Sequence, residues 1–133
     1  MNKIDGKILI IGGAGFVGSN LCLKLLDQCD NIFIVDNLLS SESSNIPQSN
    51  NVTFIHGSIS NDKILYALPK DFDYIFHLAT YHGNQSSMHD PLADHENNTL
   101  TTLKICEYFK SLSNIKFPFF FVNSLNKINF ELK

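Results

Sequence analysis

A large charge of one sign, a long apolar run and a secretory leader are all missing from this sequence. The 133 residues carry a formal net charge of −3, and only 17% of them are charged. Without a basic excess or a basic stripe, the chain is not expected to bind nucleic acid. No run reaches the ~18 apolar residues of a membrane span, so no membrane contact is predicted. The apolar run before Gly12 is too short for a signal peptide and has no cleavage-like spacing.

Cysteine is scarce, and its spacing is not that of a metal or disulfide framework. Cys22, Cys29 and Cys106 are an odd number without a C-x-x-C pattern, which is typical of a reduced, cytoplasmic chain. Cys22 and Cys29 stand one helical heptad apart, and we expect them to pack rather than to react. The histidines between residues 77 and 95 lack the spacing of a zinc site, so no metal site is predicted.

The most informative stretch runs from Lys7 to Leu26, where an apolar run, a glycine turn and an amphipathic segment follow one another. Its glycines are spaced Gly12-x-x-Gly15-x-x-Gly18, which between a strand and a helix is typical of a dinucleotide-binding turn. Gly12 would permit the sharp turn, Gly15 would let the backbone approach a pyrophosphate, and Gly18 would let the helix pack closely on the strand. The first helical turn would offer its free N–H groups to the phosphates. The alternative is a tight strand-to-helix turn that binds no ligand.

Asp36 closes a second strand-like run, roughly twenty residues beyond the glycines. A carboxylate at this distance can accept hydrogen bonds from both ribose hydroxyls of an adenosine. The same charge would repel a 2′-phosphate, and the next residue is Asn37 and not an arginine, so NAD is favoured over NADP. The alternative role for Asp36 is that of a turn-capping aspartate.

The rest of the chain alternates strand and helix patterns within a single domain, interrupted by a polar, serine-rich surface loop at residues 38–51. Strands are predicted at Ile8–Ile11, Asn31–Asp36, Val52–Gly57, Asp73–Ala79 and Phe117–Val122. Helices are predicted from the glycine turn to between Gln28 and Asp30, over Asn61–Leu68 with Ser60 as the cap, and over Asp90–Ser113. The residues expected on the buried face of this third helix are Leu92, Leu100, Leu103, Ile105, Cys106, Tyr108, Phe109 and Leu112. This alternation predicts an α/β fold with a parallel sheet and right-handed crossovers.

Four motifs in order resemble the NAD-dependent epimerase/dehydratase family, the extended short-chain dehydrogenases that act on nucleotide sugars. They are Gly12-Gly-Ala-Gly-Phe-Val-Gly-Ser19, Val35-Asp36-Asn37-Leu38, His77-Leu78-Ala79 and Asn98-Thr-Leu-Thr-Thr102, and the resemblance runs from about Lys7 to about Ser124. It implies a Rossmann-type, doubly wound parallel sheet of about five strands in three α/β/α layers, with a smaller sugar-nucleotide domain following it in the family. Residues 1–133 are therefore expected to be an NAD(P)-binding Rossmann domain that is incomplete at its C-terminal part and lacks the substrate domain.

The resemblance also implies which residues would hold the cofactor. Those expected at the pyrophosphate are Gly12, Gly15, Phe16, Val17 and Gly18. Those expected at the adenosine are Asp36, Asn37, Ser58 and Ile59, and those lining the path toward the nicotinamide are Leu78, Ala79 and Thr80. Asn98 matches a family asparagine that bonds backbone near the site, and its alternative is a solvent-facing helix position.

One departure from the family pattern concerns the adenine. The family has Gly-Asp-Ile after the third strand, and its aspartate contacts the adenine amino group. This chain has Gly57-Ser58-Ile59 instead. A serine can still form a hydrogen bond there, but without the charge the bond would be weaker by about 1 kcal/mol.

A second departure concerns catalysis. The family takes a proton from a sugar hydroxyl with a tyrosine that is acidified by a lysine four residues later, and a Ser or Thr at the end of the fifth strand polarises the same oxygen. Ser124 lies at or one place before that polarising position, and the Tyr-x-x-x-Lys segment is expected beyond residue 133. The pattern occurs at Tyr66 and Lys70, but Pro69 would prevent the continuous helix that brings both side chains to one face. We interpret it as coincidence, with a core tyrosine and a surface lysine.

These observations favour the NAD-binding portion of a nucleotide-sugar epimerase or dehydratase, with NAD as its cofactor and a nucleotide sugar as a further candidate ligand. One alternative is a catalytically inactive NAD-binding module or truncated remnant. Another is an α/β interaction protein without a ligand. The run at residues 117–122 is rich in phenylalanine and has no charge, so as an edge strand it predicts self-association.

Overall fold

The computed structural model describes residues 3–80 and 88–110, together with a short strand at residues 120–121. The strands are β1 (Lys7–Ile11), β2 (Asn31–Asp36), β3 (Val52–His56), β4 (Tyr74–His77) and β5 (Phe120–Phe121). The helices are α1 (Phe16–Leu25), α2 (Asp62–Ala67), α3 (Pro91–Asp94) and α4 (Thr101–Phe109), with a 3₁₀ turn at Ser43–Asn45 and a π-helical segment at His95–Leu100 between α3 and α4.

The strands form one parallel sheet in the order β3-β2-β1-β4-β5. In this order β1 is central, and its last residue, Ile11, lies opposite Val35 of β2 and His77 of β4. The chain therefore leaves β1 in one direction, forms β2 and β3, and crosses back to form β4 on the other side. The carboxyl ends of β1, β2 and β4 meet where the direction changes, which is the place where open α/β sheets bind ligands.

Helices cover both faces of the sheet. Successive side chains of a strand point to opposite faces, and in the central strands the side chains on both faces are apolar and must be buried. Leu9 of β1 points to a core that contains Leu65 of α2 and Phe109 of α4. Ile8 points to the opposite core, with Cys22 of α1. Each of these side chains is at most 2% exposed, and full burial of an aliphatic or aromatic side chain contributes roughly 1.5–3 kcal/mol. The predicted α/β fold, with its parallel sheet and its three layers, is confirmed.

Two predicted helix ends were wrong. Helix α1 ends at Leu25 and not near Gln28, because the N–H groups of Gln28 and Cys29 both donate to the Leu25 carbonyl and turn the chain. Helix α2 is capped by Asn61 and not by Ser60. The Asn61 side chain directly precedes the first helical residue and accepts from the N–H of Lys63 at 2.9 Å, which is the usual position of an N-cap.

The third predicted helix is not continuous, and its buried face was partly wrong. The π-helical segment separates α3 from α4, so spacings counted across it do not keep one face. Leu92 is 75% exposed and Leu103 is 59% exposed. The prediction was right for Ile105, Tyr108 and Phe109, which are buried. Thr101 is also buried, four residues before Ile105 on the same face of α4. Within residues 3–80 and 88–110, no helix is long and apolar enough to cross a membrane.

Candidate functional site

A cavity of about 560 Å³ lies at the carboxyl ends of the central strands. The glycine turn and the start of α1 form one wall, the ends of β2 and β3 form a second, and the end of β4 with the π-helical segment forms a third. All the cofactor residues predicted from the sequence line this cavity except Asn98, namely Gly12, Gly15, Phe16, Val17, Gly18, Asp36, Asn37, Ser58, Ile59, Leu78, Ala79 and Thr80. Ser124 lies outside the described residues.

Two glycines of the turn occupy positions that no other residue fits. Gly12 has φ +83°, and a Cβ there would lie 2.5 Å from the backbone nitrogen of Ala79 at the end of β4. A Cβ on Gly18 would lie 2.4 Å from the carbonyl oxygen of Gly12. The backbone of α1 therefore packs directly against the backbone at the end of β1, with no side chain between them. Gly15 differs, since the nearest atom to its Cβ position is the Gly12 oxygen at 3.4 Å. The absence of a side chain at Gly15 is therefore not required by packing, and it leaves space in the cavity.

The N-terminus of α1 faces the same cavity and is uncapped. Gly15 is the N-cap residue and provides no side-chain hydrogen bond, and the first turn contains no acidic residue. The first N–H groups of a helix have no partner within it, and the helix dipole places partial positive charge there. Phe16 is 85% exposed at the cavity wall. This end of α1 therefore offers donors and positive potential to an anion.

Asp36 joins the glycine turn to the loop after β2. One carboxylate oxygen accepts from the N–H of Ala14 at 2.9 Å, and the other accepts from the N–H of Leu38 at 2.8 Å and from the Ser41 hydroxyl at 3.1 Å. Leu38 has φ +57°, a left-handed conformation that is uncommon for leucine, and its bond to Asp36 helps to hold it there. The turn-capping role is thus present. A carboxylate has about four acceptor positions, so one remains for a ligand hydroxyl.

The end of β4 is fixed to the end of β1 and reaches the π-helical segment. The N–H groups of Leu78 and Ala79 both donate to the Ile11 carbonyl, at 2.8 and 2.9 Å. The Thr80 hydroxyl donates to the side-chain oxygen of Asn98 at 3.4 Å. Asn98 is half-buried and also donates to the carboxylate of Asp94, so the solvent-facing alternative for this residue was wrong. Asn98 does not line the cavity but is hydrogen-bonded to Thr80, which does.

The sequence of the chain matches a known family over most of its length. The pattern of the "NAD dependent epimerase/dehydratase family" covers residues 8–126. The chain belongs to this family. The resemblance predicted from its four motifs is confirmed.

Individual members of the family agree with this assignment. A UDP-glucose 4-epimerase of Klebsiella pneumoniae is 29% identical over 85% of this chain and 86% of that sequence. The Bordetella bronchiseptica enzyme WbmF, solved with NAD+ and with NAD+ and UDP, is 54% identical over 83% of this chain, with TM-scores of 0.79 and 0.78. The UDP-glucose 4-epimerase of Thermus thermophilus, solved with NAD, is 28% identical over 77% of this chain with a TM-score of 0.69. The chain spans about a third of the length of these solved relatives.

Several cavity residues were not predicted from the sequence. Leu39, Ser40 and Ser41 come from the loop that was read only as polar surface, although Ser41 lies five residues after Asp36 and contacts it. Asn97 and Thr101 reach the cavity from the π-helical segment and the start of α4. The clustering of serines just beyond an acidic strand end was the signal available for the loop. No sequence signal identified Asn97.

The Tyr66 and Lys70 pair lies away from the cavity. Tyr66 is on α2 and is 67% exposed, so the expected core position was wrong. The Lys70 ammonium lies 5.1 Å from the ring centroid of Tyr108, and neither Tyr66 nor Lys70 lines the cavity. These positions give no support to a catalytic role for the pair.

Burial alone shifts the pKa values of two side chains in the core, His77 and Cys22. His77, at the end of β4, is 4% exposed, and burial lowers its pKa to about 4. Burial raises the pKa of the Cys22 thiol to about 11, so Cys22 packs as an unreactive side chain, as predicted. Among the described residues, no group of His, Cys, Asp and Glu is arranged to hold a metal ion.

Proposed function

We propose that this chain binds NAD in the cavity at the strand ends. The observation that carries the proposal is the joint placement of the glycine turn, the uncapped start of α1 and Asp36 around one space. The pyrophosphate would lie against Gly15 and the first turn of α1, and a ribose hydroxyl would donate to the remaining acceptor position of Asp36. Solved relatives with NAD+, NADH or NAD support the same choice of ligand.

The proposed cofactor is NAD rather than NADP, and charge supports this choice. Binding of a 2′-phosphate beside the ribose calls for a cation such as arginine. The sequence contains no arginine, and no lysine lines the described cavity. The charge next to the proposed ribose position is instead the carboxylate of Asp36.

Thermal unfolding with and without ligand tests the proposal directly. A ligand that binds only the folded state at a hundred times its Kd stabilises that state by about 2.7 kcal/mol, which corresponds to roughly 10 °C for a chain of this length. NAD and NADH are expected to raise the Tm by this order, and NADP by clearly less. Unchanged melting with both NAD and NADH would refute cofactor binding and would favour an interaction module.

The wider function that we propose is the NAD-binding portion of an enzyme acting on a nucleotide sugar. Relatives are UDP-glucose and UDP-N-acetylglucosamine 4-epimerases, and WbmF was solved with UDP. Bound NAD would accept a hydride from a sugar carbon during oxidation of a hydroxyl. The residues of this chain would bind and orient the cofactor, exclude water along Leu78 and Ala79, and provide Ser124 to polarise the sugar oxygen.

A second candidate is a module that binds NAD and has no turnover of its own. It is favoured by the position of Tyr66 and Lys70, because the Tyr-x-x-x-Lys pattern in these 133 residues does not reach the cavity. The two candidates separate in an assay of the 133-residue chain, saturated with NAD, against UDP-glucose and UDP-N-acetylglucosamine. Conversion of either sugar would exclude the inactive module. Tight NAD binding without conversion would support it.

We place the chain in the cytoplasm as part of the same proposal. Its cysteines are free thiols, as expected for a reducing compartment. Fractionation of the source cells with a marker for each compartment tests this placement.

A further inference from the structure

Ser58 lies beside the proposed adenosine site, just beyond the end of β3. Asp36 of β2 is in register with His56 of β3, and the N–H of Gly57 donates to the Asp36 carbonyl at 2.9 Å. Ser58 is the following residue and lines the cavity. An inference drawn from this residue depends on the proposed binding of NAD.

The geometry of the cavity directs the base of the cofactor toward Ser58. If the pyrophosphate lies at the start of α1 and the ribose lies at Asp36, the nicotinamide half extends past the end of β4. The base on the other half is attached directly to the ribose, so it must lie on the opposite side, along β3. The residues that line the cavity on that side are Gly57, Ser58 and Ile59.

The group available to the purine edge is a hydroxyl pair and not a carboxylate. The Ser58 and Ser60 hydroxyl oxygens lie 2.7 Å apart, and the N–H of Ser60 donates to the Ser58 oxygen at 3.2 Å. Asp36 is the carboxylate among the described lining residues. Three of its acceptor positions are used by the glycine turn and the loop after β2, and the remaining one is proposed for the ribose. An adenine amino group would therefore meet a neutral partner.

This hydroxyl pair can serve as donor or as acceptor. Either serine can donate in the bond that joins them. If Ser58 donates to Ser60, its remaining lone pair accepts from an amino group. If Ser60 donates to Ser58, the Ser58 proton is free to reach a carbonyl oxygen. The loop itself is fixed, because Lys104 donates to the Ser60 carbonyl at 2.7 Å and the N–H of Asn61 donates to the Ser58 carbonyl at 3.0 Å.

We propose that the Ser58–Ser60 hydroxyl pair reads the 6-position of the purine without selecting between an amino group and a carbonyl. The chain then binds NAD and its hypoxanthine analogue, in which a carbonyl replaces the adenine amine, with nearly equal affinity. Ser58 is a specificity-determining position, and a carboxylate there would restore selection for adenine, because it accepts from the amine and repels the carbonyl.

Calorimetric titration of the 133-residue chain with NAD and with nicotinamide hypoxanthine dinucleotide tests this inference. The two Kd values are expected to agree within about threefold, whereas Ser58→Asp is expected to favour NAD by tenfold or more, a difference of about 1.4 kcal/mol. Ser58→Ala, the matched control, should weaken both ligands by similar factors. Melting of each variant without ligand checks that it is folded.

The outcomes separate this inference from the proposed function. A wild-type chain that binds NAD at least tenfold more tightly than the hypoxanthine analogue would overturn the inference and leave NAD binding intact. A tenfold preference of Ser58→Ala for NAD would also overturn the inference, because a group other than Ser58 would then distinguish the two bases. Absence of binding by both dinucleotides would overturn the proposed function itself. The wild-type ratio decides the question even if Ser58→Asp does not fold.

Discussion

The three spaced glycines of the turn have different surroundings, so a side chain at each would have a different physical consequence. Gly12 combines a positive φ with contact to the backbone of Ala79. Gly18 lies against the carbonyl of Gly12, where rigid backbone leaves no room for a Cβ. Gly15 faces the cavity with ordinary van der Waals distance to its nearest protein atom. Packing explains the first two glycines, and the approach of a ligand is the reason that we propose for the third.

Substitution of Gly18 and Gly15 by alanine separates packing from ligand binding. Gly18→Ala places a methyl group 2.4 Å from a carbonyl oxygen, and we expect it to lower the free energy of unfolding by about 1–3 kcal/mol. Gly15→Ala should leave the free energy of unfolding within about 1 kcal/mol of the wild type but weaken NAD binding at least tenfold, because the methyl group would lie where the pyrophosphate approaches. Urea denaturation and NAD titration measure the two effects. Equal NAD affinity of Gly15→Ala and the wild type would contradict the proposed pyrophosphate position.

Asp36→Asn tests the structural role of the carboxylate. Both oxygens accept hydrogen bonds from N–H groups, so an amide NH₂ in either place would face a donor. We expect the free energy of unfolding to fall by about 1–3 kcal/mol, the cost of a buried donor left without a partner. Urea denaturation measures it, with Glu42→Gln in the exposed part of the same loop as the control, for which a change within about 0.5 kcal/mol is expected. A stability for Asp36→Asn equal to that of the control would show that the loop and turn do not depend on the charge.

For individual residues, sequence spacing predicted which of them line the same cavity but not which hydrogen bonds they form. The distance between the glycines and Asp36 is set by one strand–helix–strand unit, so it is visible in the sequence. The bonds from Ala14 and Ser41 to Asp36 depend on how two loops fold over one another, and loop conformation leaves no periodic pattern. Capping of a turn and binding of a ribose were considered as alternatives, but the three bonds to Asp36 leave room for both.

Among the elements, the strands followed their sequence patterns more closely than the long helix did. Strands β1 to β4 have apolar runs that are bounded by polar residues, and their bounds differ from the predicted ones by at most two residues. The segment from Pro91 to Phe109 looked like one amphipathic helix, yet a π-helical segment divides it and brings Asn97 to the cavity. A π-helical turn rotates the following residues to a different side of the helix axis. The amino-acid sequence carries no mark of this rotation, so hydrophobic periodicity does not reveal it.

Strand β4 carries a buried histidine, which makes the stability of the fold depend on pH. Burial lowers the pKa of His77 from 6.5 to about 4, so between these values the unfolded chain binds a proton that the folded chain does not. The stabilisation is complete above pH 6.5 and is lost as the pH falls to about 4, with a total of up to roughly 3 kcal/mol. Urea denaturation across this range should show a steeper loss for the wild type than for His77→Gln. His56→Gln, at an exposed position on the outer strand β3, is the matched control. Parallel pH profiles for the wild type and His77→Gln would refute the assignment.

In the described part of the molecule, the sheet order decides which strands have a neighbour on one side only. Within the described residues, β3 and β5 are the outer strands, and each pairs with one neighbour. The sequence around β5, residues 117–122, contains four phenylalanines and no charge, whereas β3 presents exposed Thr53 and His56. Uncharged aromatic edges pair readily with other chains. Self-association stays a prediction, and the β5 edge is where we expect it.

Sedimentation velocity of the 133-residue chain over a range of concentrations tests this assignment. We expect a concentration-dependent dimer or larger species, which Phe120→Lys should dissociate because a lysine on an edge strand opposes strand pairing. Thr53→Lys places the same charge on the β3 edge and should leave the association unchanged, since β3 is already polar. Far-ultraviolet circular dichroism of both variants establishes that dissociation is not a consequence of unfolding. A wild-type chain that sediments as a monomer at every concentration would contradict self-association, and dissociation by Thr53→Lys alone would move the interface to the opposite edge of the sheet.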